Sequence, residues 1–197
     1  MDMQISTEFE AQDRAGVADL YWQAFGHKLG RVMGPDPRAL RFLCDVIDPR
    51  YALTARDATG RLLGVAGFKT AQGQLVGGTL RQMQEHYGWG GGLWRGLVLS
   101  ALERPVAADV LLMDGICVAP AARGHGVGTA LLQAIKDTAR AQGKTGVRLD
   151  VIDSNDRARA LYERQGFTVR GVEHTGPLRH LFRFESATQM VWRADMA

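Results

Sequence analysis

Asp114-Gly-Ile-Cys-Val-Ala-Pro-Ala-Ala-Arg-Gly-His-Gly-Val-Gly-Thr-Ala-Leu-Leu132 reads as the end of a hydrophobic strand, a glycine-rich turn and the opening of a long helix. Gly124, Gly126 and Gly128 let the backbone turn tightly and approach a ligand with no Cβ in the way. The first N–H groups of the following helix lack intrahelical acceptors, so turn and helix together suit an anion such as phosphate. Arg123 adds a fixed positive charge beside the turn, and the strand before it offers backbone groups to an extended ligand arm. The competing reading is that these glycines only make a tight strand–helix connection.

Working outward, the spacing predicts a strand over 110–118, a helix over 127–142, a strand over 145–152 and a helix over 156–165, a βαβα core. In the first of these helices Leu131, Leu132, Ile135 and Ala139 form an apolar stripe, with Lys136, Asp137 and Arg140 assigned to other faces and Gly143 as the stop. Segments 167–172 and 187–193 read as an antiparallel pair joined through 173–186, which makes the sheet mixed. Toward the amino terminus, 3–9 reads as an edge strand and 13–25 as a helix with Val17, Leu20, Tyr21 and Ala24 at helical spacing. A short helix is expected over 38–46, after Gly34-Pro-Asp-Pro37, whose prolines punctuate the chain. Segments 51–56 and 62–70 then form an antiparallel pair turned by Ala58-Thr-Gly60. Residues 71–108 are rich in glycine and carry Trp89 and Trp94; they are expected to be an ordered, partly helical insertion with no domain boundary.

With 197 residues, 46% of them hydrophobic, one domain over 1–197 can bury a core without metal or disulfide. The 24 basic residues are interleaved with 21 acidic ones, and a formal charge of +3 points away from nucleic acid. No stretch approaches the roughly 20 apolar residues of a membrane span, and the first residues lack a basic region followed by an apolar one. A cytoplasmic location with no membrane partner is expected. Cys44 and Cys117 lie in apolar segments and read as buried free thiols. A dinucleotide fold is disfavoured, because Gly124-His-Gly-Val-Gly128 has the spacing G-x-G-x-G rather than G-x-G-x-x-G. A nucleotide triphosphate loop would need Gly-Lys-Ser/Thr after the glycines, which is absent.

Three linked features resemble the GCN5-related N-acetyltransferase (GNAT) family: Arg123-Gly-His-Gly-Val-Gly128, the strand Leu112-Met-Asp-Gly-Ile-Cys-Val-Ala-Pro120 before it, and Asn155-Asp-Arg-Ala-Arg-Ala-Leu-Tyr-Glu-Arg-Gln-Gly-Phe167. The resemblance implies a single-domain α/β fold whose mixed central sheet of six or seven strands, flanked by helices, splays at an acyl-coenzyme A site. It implies acetyl-CoA as cosubstrate, entering between the strand ending near Val118 and the one ending near Ile152. The pyrophosphate would meet the amides of Arg123, Gly124, His125, Gly126, Val127, Gly128 and Thr129. The pantetheine arm would run along Ile116, Cys117 and Val118, through backbone groups of Ile116 and Val118, with Asn155 as a helix cap, a pantetheine ligand or both. By the same carry-over the Tyr162 hydroxyl lies near the cofactor sulfur and protonates the departing thiolate, or orients it, whereas helical spacing alone reads Tyr162 as a packed core aromatic.

The acceptor would be a primary amine attacking directly in a ternary complex, a small molecule in preference to a protein amino terminus; a homodimer is left open. The alternative is a noncatalytic acyl-CoA-binding regulatory module. Asp114, inside an apolar strand, is the foremost candidate base or acceptor ligand, against a structural hydrogen-bonding role or a water chain. Glu85, His86, Glu103 and Asp109 are further candidates, and Trp89 or Trp94 would border the acceptor pocket or pin a loop to the core. Cys117 has no identified activating histidine, which disfavours an acyl-enzyme. His174 and His180 flank Gly176-Pro177 in no metal-binding arrangement, so no metal is expected.

Overall fold

A computed structural model describes residues 2–100, 107–176 and 179–194. The apolar run Val110–Val118 forms the central strand β5, covered on both faces as its composition requires. One face packs Leu111 and Met113 with Leu131, Leu132 and Ile135 of helix α5 (Val127–Ala141). The other packs Cys117 with Val17, Ala18 and Met33 of α1 (Arg14–Met33) and with Phe42 and Leu43 of α2 (Asp36–Val46). Around β5 run β1 (Met3–Thr7), β2 (Ala52–Asp57), β3 (Leu62–Thr70), β6 (Gly146–Ile152), β7 (Thr168–His174) and β8 (Ser186–Arg193), in the order β1-β2-β3-β5-β6-β8-β7. The two-residue β4 (Gly73–Gln74) pairs with β3, which brings the sheet to eight strands against the six or seven expected. The βαβ core, the amino-terminal edge strand and the antiparallel closing pair stand as read.

β5 and β6 are the parallel pair, and their register runs only from Val110↔Gly146 to Leu112↔Arg148. Past that point β5 stays with β3 as far as Val118, while β6 stays with β8 as far as Ile152. Each strand follows a different neighbour, so the two diverge and leave a gap at their carboxyl ends. α6 (Asp156–Arg164) follows β6 and α7 (Arg179–Phe182) precedes β8.

Several boundaries differ from the sequence expectation for physical reasons. α1 runs on past residue 25 to Met33, because Val32 and Met33 are buried and their carbonyls accept hydrogen bonds from Arg95 Nε (2.7 Å) and the Tyr87 hydroxyl (2.6 Å). α2 starts at Asp36, with Pro37 inside its first turn, where a missing N–H leaves no bond unmade. The segment 71–108 contains β4, α3 (Leu80–Tyr87) and α4 (Trp89–Ser100). α3 begins at a reciprocal cap, in which the Thr79 hydroxyl accepts from the Gln82 amide (3.2 Å) and the Gln82 side chain accepts from the Thr79 amide (3.0 Å). Lys136 is buried rather than surface-facing: its ammonium donates to the Gln165 carbonyl (2.7 Å) and sits over Phe167 and Trp192, tying α5 to the end of α6. Among the described residues no helix is long and apolar enough to cross a membrane.

Candidate functional site

The glycine turn lies at the carboxyl end of β5. Gly124 and Gly126 have φ of 82° and 81°, the left-handed region that glycine adopts without strain, and Gly126 is the residue from which α5 starts. No atom lies within 4 Å of the position a Cβ would take at either glycine. The amides of Gly124, His125, Gly126, Val127, Gly128 and Thr129 donate to no group among the described residues, and the first backbone bond back to this turn comes from Ala130 to the Gly126 carbonyl (3.0 Å). The Arg123 side chain curls back so that Nε donates to the Val118 carbonyl (3.3 Å), and His125 Nδ1 stands 3.0 Å from the Arg123 carbonyl. A run of unpaired amides at a helix start, next to an arginine, fits a diphosphate.

The adjoining edge of β5 faces the gap. Ala119 N–H donates to Leu63 of β3 (2.9 Å), so alternation along the strand turns the amides of Val118 and Ile116 the other way, toward β6. Those groups are available to a ligand arm that takes the place of a neighbouring strand.

On the opposite side of the sheet from α5, the gap opens into a cavity of about 630 Å³. Leu112, Met113 and Asp114 of β5 and Asp150 and Ile152 of β6 line its sheet side, and α1, α2, α3 and α4 contribute its walls. Asp114 enters it because β5 is bulged there: Gly67 pairs with Gly115 and Phe68 with Met113, leaving Asp114 as the extra residue. Gly115 beside it is pressed against α1, where a Cβ would stand 2.5 Å from the Phe25 ring. Solvent reaches Asp114 through the cavity while protein encloses its other sides, and that desolvation pushes its carboxyl up to about 6, opposed by the positive charge of Lys69.

Tyr21, on α1 above Asp114, has its phenol raised well above the usual value, first by burial and then by the charges of Asp114 and Cys117. Tyr162 of α6 belongs to the core on the α5 side, its ring 6.0 Å from Phe167, and its hydroxyl has no partner among the described residues. Burial, with Cys117 adding to it, pushes that phenol up to about 12. The Cys117 thiol is likewise pushed up to about 12 by burial, against the pull of Lys28. Cys117 therefore stands electrostatically between Tyr162 on one side of the sheet and Tyr21 and Lys28 on the other. Cys44 and Cys117 are free thiols, Cys117 buried as expected and Cys44 only partly so. Asn155 caps α6, its side-chain oxygen accepting from the Ala158 amide (3.2 Å) while its own amide group keeps its donors.

The remaining candidates lie elsewhere. Glu85 pairs with Arg81 (3.0 Å), His86 with Asp45 (2.7 Å), and Asp109 accepts from the Thr145 hydroxyl (3.2 Å); none lines the cavity. Glu103 falls outside the described residues. Trp89 is 76% exposed and Trp94 39%, so neither is pinned to the core, and neither lines the cavity; Leu80, Met83, Leu93 and Leu97 supply that wall instead. No group of metal-binding side chains occurs among the described residues. Sequence reasoning missed Tyr21, Lys28 and Lys69 as cavity residues; Tyr21 was visible only as part of an apolar stripe.

The sequence pattern described as "Acetyltransferase (GNAT) family" matches residues 14–167. Mycothiol acetyltransferase of Beutenbergia cavernae is 51% identical over 51 residues, which cover 26% of this chain and 17% of that protein. The match thus takes in only a small part of the relative's length. Among solved structures, an N-acetyltransferase from Staphylococcus aureus Mu50 superposes with a TM-score of 0.69 at 14% identity, over 96% of this chain and 100% of that one. An acetyltransferase from Salmonella typhimurium, solved with its cofactor acetyl-CoA, does so with 0.64 at 19% identity, over 100% and 96%. At such identities the likeness is one of fold.

Proposed function

The chain belongs to the acetyltransferase (GNAT) family, whose cosubstrate is acetyl-CoA, and on that footing we propose that it moves an acetyl group to the primary amine of a small molecule within a ternary complex. The observation that carries the reading is that two dissimilar sites meet at one gap: the unpaired amides of the glycine turn at the end of β5, and the cavity whose sheet side is the diverging β5 and β6. Bound acetyl-CoA supplies an activated thioester carbonyl. The chain's own part is to hold the pyrophosphate on the amides from Gly124 to Thr129, since the Arg123 amide, expected to join them, donates instead to the Pro120 carbonyl (3.3 Å), and to hold the pantetheine arm on backbone groups of Ile116 and Val118. Asn155 contributes its side-chain amide to the same arm. Cys117 and the loop residue His125 border this path.

Asp114 takes the proton that the acceptor ammonium must lose, a task suited to a carboxyl raised to about 6, which is mostly ionised at neutral pH yet basic enough to accept. Tyr162 donates to the sulfur as the thiolate leaves; a phenol at about 12 stays protonated across the working range and keeps that proton available. The amide of Val118 or a neighbour on the gap-facing edge of β5 stabilises the developing oxyanion. Cys117 as a covalent relay is disfavoured by a thiol raised to about 12, since the thiolate is then scarce at neutral pH. Residues 71–108 act as an acceptor-site insertion within one domain over 1–197, a role supported by the wall they lend to the cavity.

Incubation with acetyl-CoA and a panel of primary amines tests the reading. Equal amounts of free thiol and acetylated amine are expected, measured by thiol titration and mass spectrometry. Tight acetyl-CoA binding without either product would favour the noncatalytic module instead.

A further inference from the structure

We propose that the acceptor is a small zwitterion, a primary amine that also bears a carboxylate on an apolar or aromatic body, as in an apolar α-amino acid. The proposal rests on reading the cavity as the acceptor site. Its volume, about 630 Å³, falls among small-molecule pockets. Phe25, Leu29, Phe42, Leu80, Leu97 and Phe184 make most of the wall apolar. A polyamine or a polyhydroxylated amine would leave its polar groups unpaired against that surface, at the cost of their hydration.

The charges select further. Lys28 and Lys69 both line the cavity, and neither makes a hydrogen bond or ion pair among the described residues; the ammonium of Lys28 stands 5.3 Å from the Phe25 ring centre. Burial already lowers the pKa of Lys28. Of the two cavity carboxylates, Asp150 is engaged by Arg148 (3.4 Å), while Asp114 has no hydrogen-bonded or ion-paired partner among the described residues. Lys69 acts on Asp114 through its charge alone, with no hydrogen bond or ion pair between them, so the cavity holds two ammoniums against one carboxylate not engaged by contact. A simple amine would satisfy Asp114 and leave both lysines unpaired, whereas a carboxylate on the same molecule offsets them. The reaction balances: the ammonium gives one proton to Asp114, the neutral nitrogen forms the C–N bond, the C–S bond breaks, the thiolate gains a proton from Tyr162, the second proton leaving the nitrogen restores the Tyr162 phenol, Asp114 releases its proton to solvent, and the product keeps its carboxylate.

Thiol release at saturating acetyl-CoA is measured with L-phenylalanine, 2-phenylethylamine, L-serine and spermidine. L-Phenylalanine is expected to exceed 2-phenylethylamine, which lacks the carboxylate, and L-serine, which lacks the apolar body, by about tenfold or more in kcat/KM, the scale of one charge-assisted contact or one buried ring. Lys69→Met and Lys28→Met should each narrow the ratio between the first two amines. Titration of the unmodified protein with N-acetyl-L-phenylalanine and N-acetyl-2-phenylethylamine gives a readout independent of how the variants fold, and the carboxylate should bind tighter. Preference for 2-phenylethylamine or spermidine, or equal binding of the two acetylated compounds, overturns the proposal. Acetyl-CoA binding with no turnover of any of the four overturns it while sparing the cofactor site; failure to bind acetyl-CoA at all would instead remove the acetyltransferase reading beneath it.

Discussion

Replacing Asp114 by asparagine should abolish a specific limb of the pH profile. If the carboxylate form is the base, kcat/KM follows its ionised fraction. With the carboxyl at about 6, that fraction is about 0.9 at pH 7 and about 0.09 at pH 5, a fall of about tenfold. A carboxyl left at its ordinary 3.8 would lose only about 6% over the same interval. Initial rates at saturating acetyl-CoA and subsaturating amine, followed by thiol release from about pH 4.5 to about pH 9, resolve the two cases. The acceptor's own ammonium adds a limb common to both proteins, so the difference between Asp114 and Asp114→Asn isolates the side chain. Asparagine fits the same space and keeps a polar group in the bulge, but it takes no proton; a slower and flatter profile is expected. Lys69 supplies a check on the cause, since its charge holds the Asp114 carboxyl down. Lys69→Met should move the limb to higher pH. An asparagine variant that retains the full tenfold fall, or a methionine variant whose limb moves to lower pH, would refute the assignment.

The same raised carboxyl has a consequence for stability. The folded state holds the Asp114 proton more tightly than the unfolded chain, so stability is fullest below about pH 4 and declines as pH rises through about 6; Asp114→Asn should therefore raise Tm at pH 8, with the gain shrinking toward pH 4 in thermal scans. Tyr162→Phe keeps the ring packing but loses the phenolic proton, and single-turnover transfer at saturating substrates should slow by roughly 10–1,000-fold while acetyl-CoA affinity survives. Gly126→Glu puts a side chain on a left-handed residue and a carboxylate in the proposed phosphate site; calorimetry should show acetyl-CoA affinity reduced by about tenfold or more, and an unchanged affinity in a folded variant removes the turn from the binding model. Leu93→Ser should raise the acceptor KM, whereas Trp89→Ser, on a residue outside the cavity, should leave it unaltered.

The glycine turn and the cap of α6 were legible in the sequence because their requirements are local. A positive φ at Gly124 and Gly126, a helix start at Val127 and a cap at Asn155 each concern a few consecutive residues, and each has a residue type that suits it. The cavity is written in contacts between distant segments. Asp114 was conspicuous as a carboxylate in an apolar strand, but its aim depends on the register between β5 and β3, where Phe68 skips to Met113; no pattern within 110–118 announces that bulge. Lys28 was out of reach for a related reason. Gly26 and Gly30 weaken the local helical signal past Phe25, and the last turn of α1 is instead held by Tyr87 and Arg95 from α3 and α4.

That arrangement separates the two halves of the site physically. α3 and α4 hold the end of α1 and also line the cavity, so a change in their packing reaches Lys28 and the apolar wall together. The glycine turn, by contrast, is anchored through α5 to Leu131, Leu132 and Ile135 in the core on the other face of the sheet. Substitutions in 80–100 should therefore reshape the cavity wall while the backbone amides of the glycine turn keep their geometry. β5 joins the two most directly, since Asp114 faces the cavity and Val118 leads into the turn; the bulge lets one strand present a side chain to the cavity and its backbone edge to the gap.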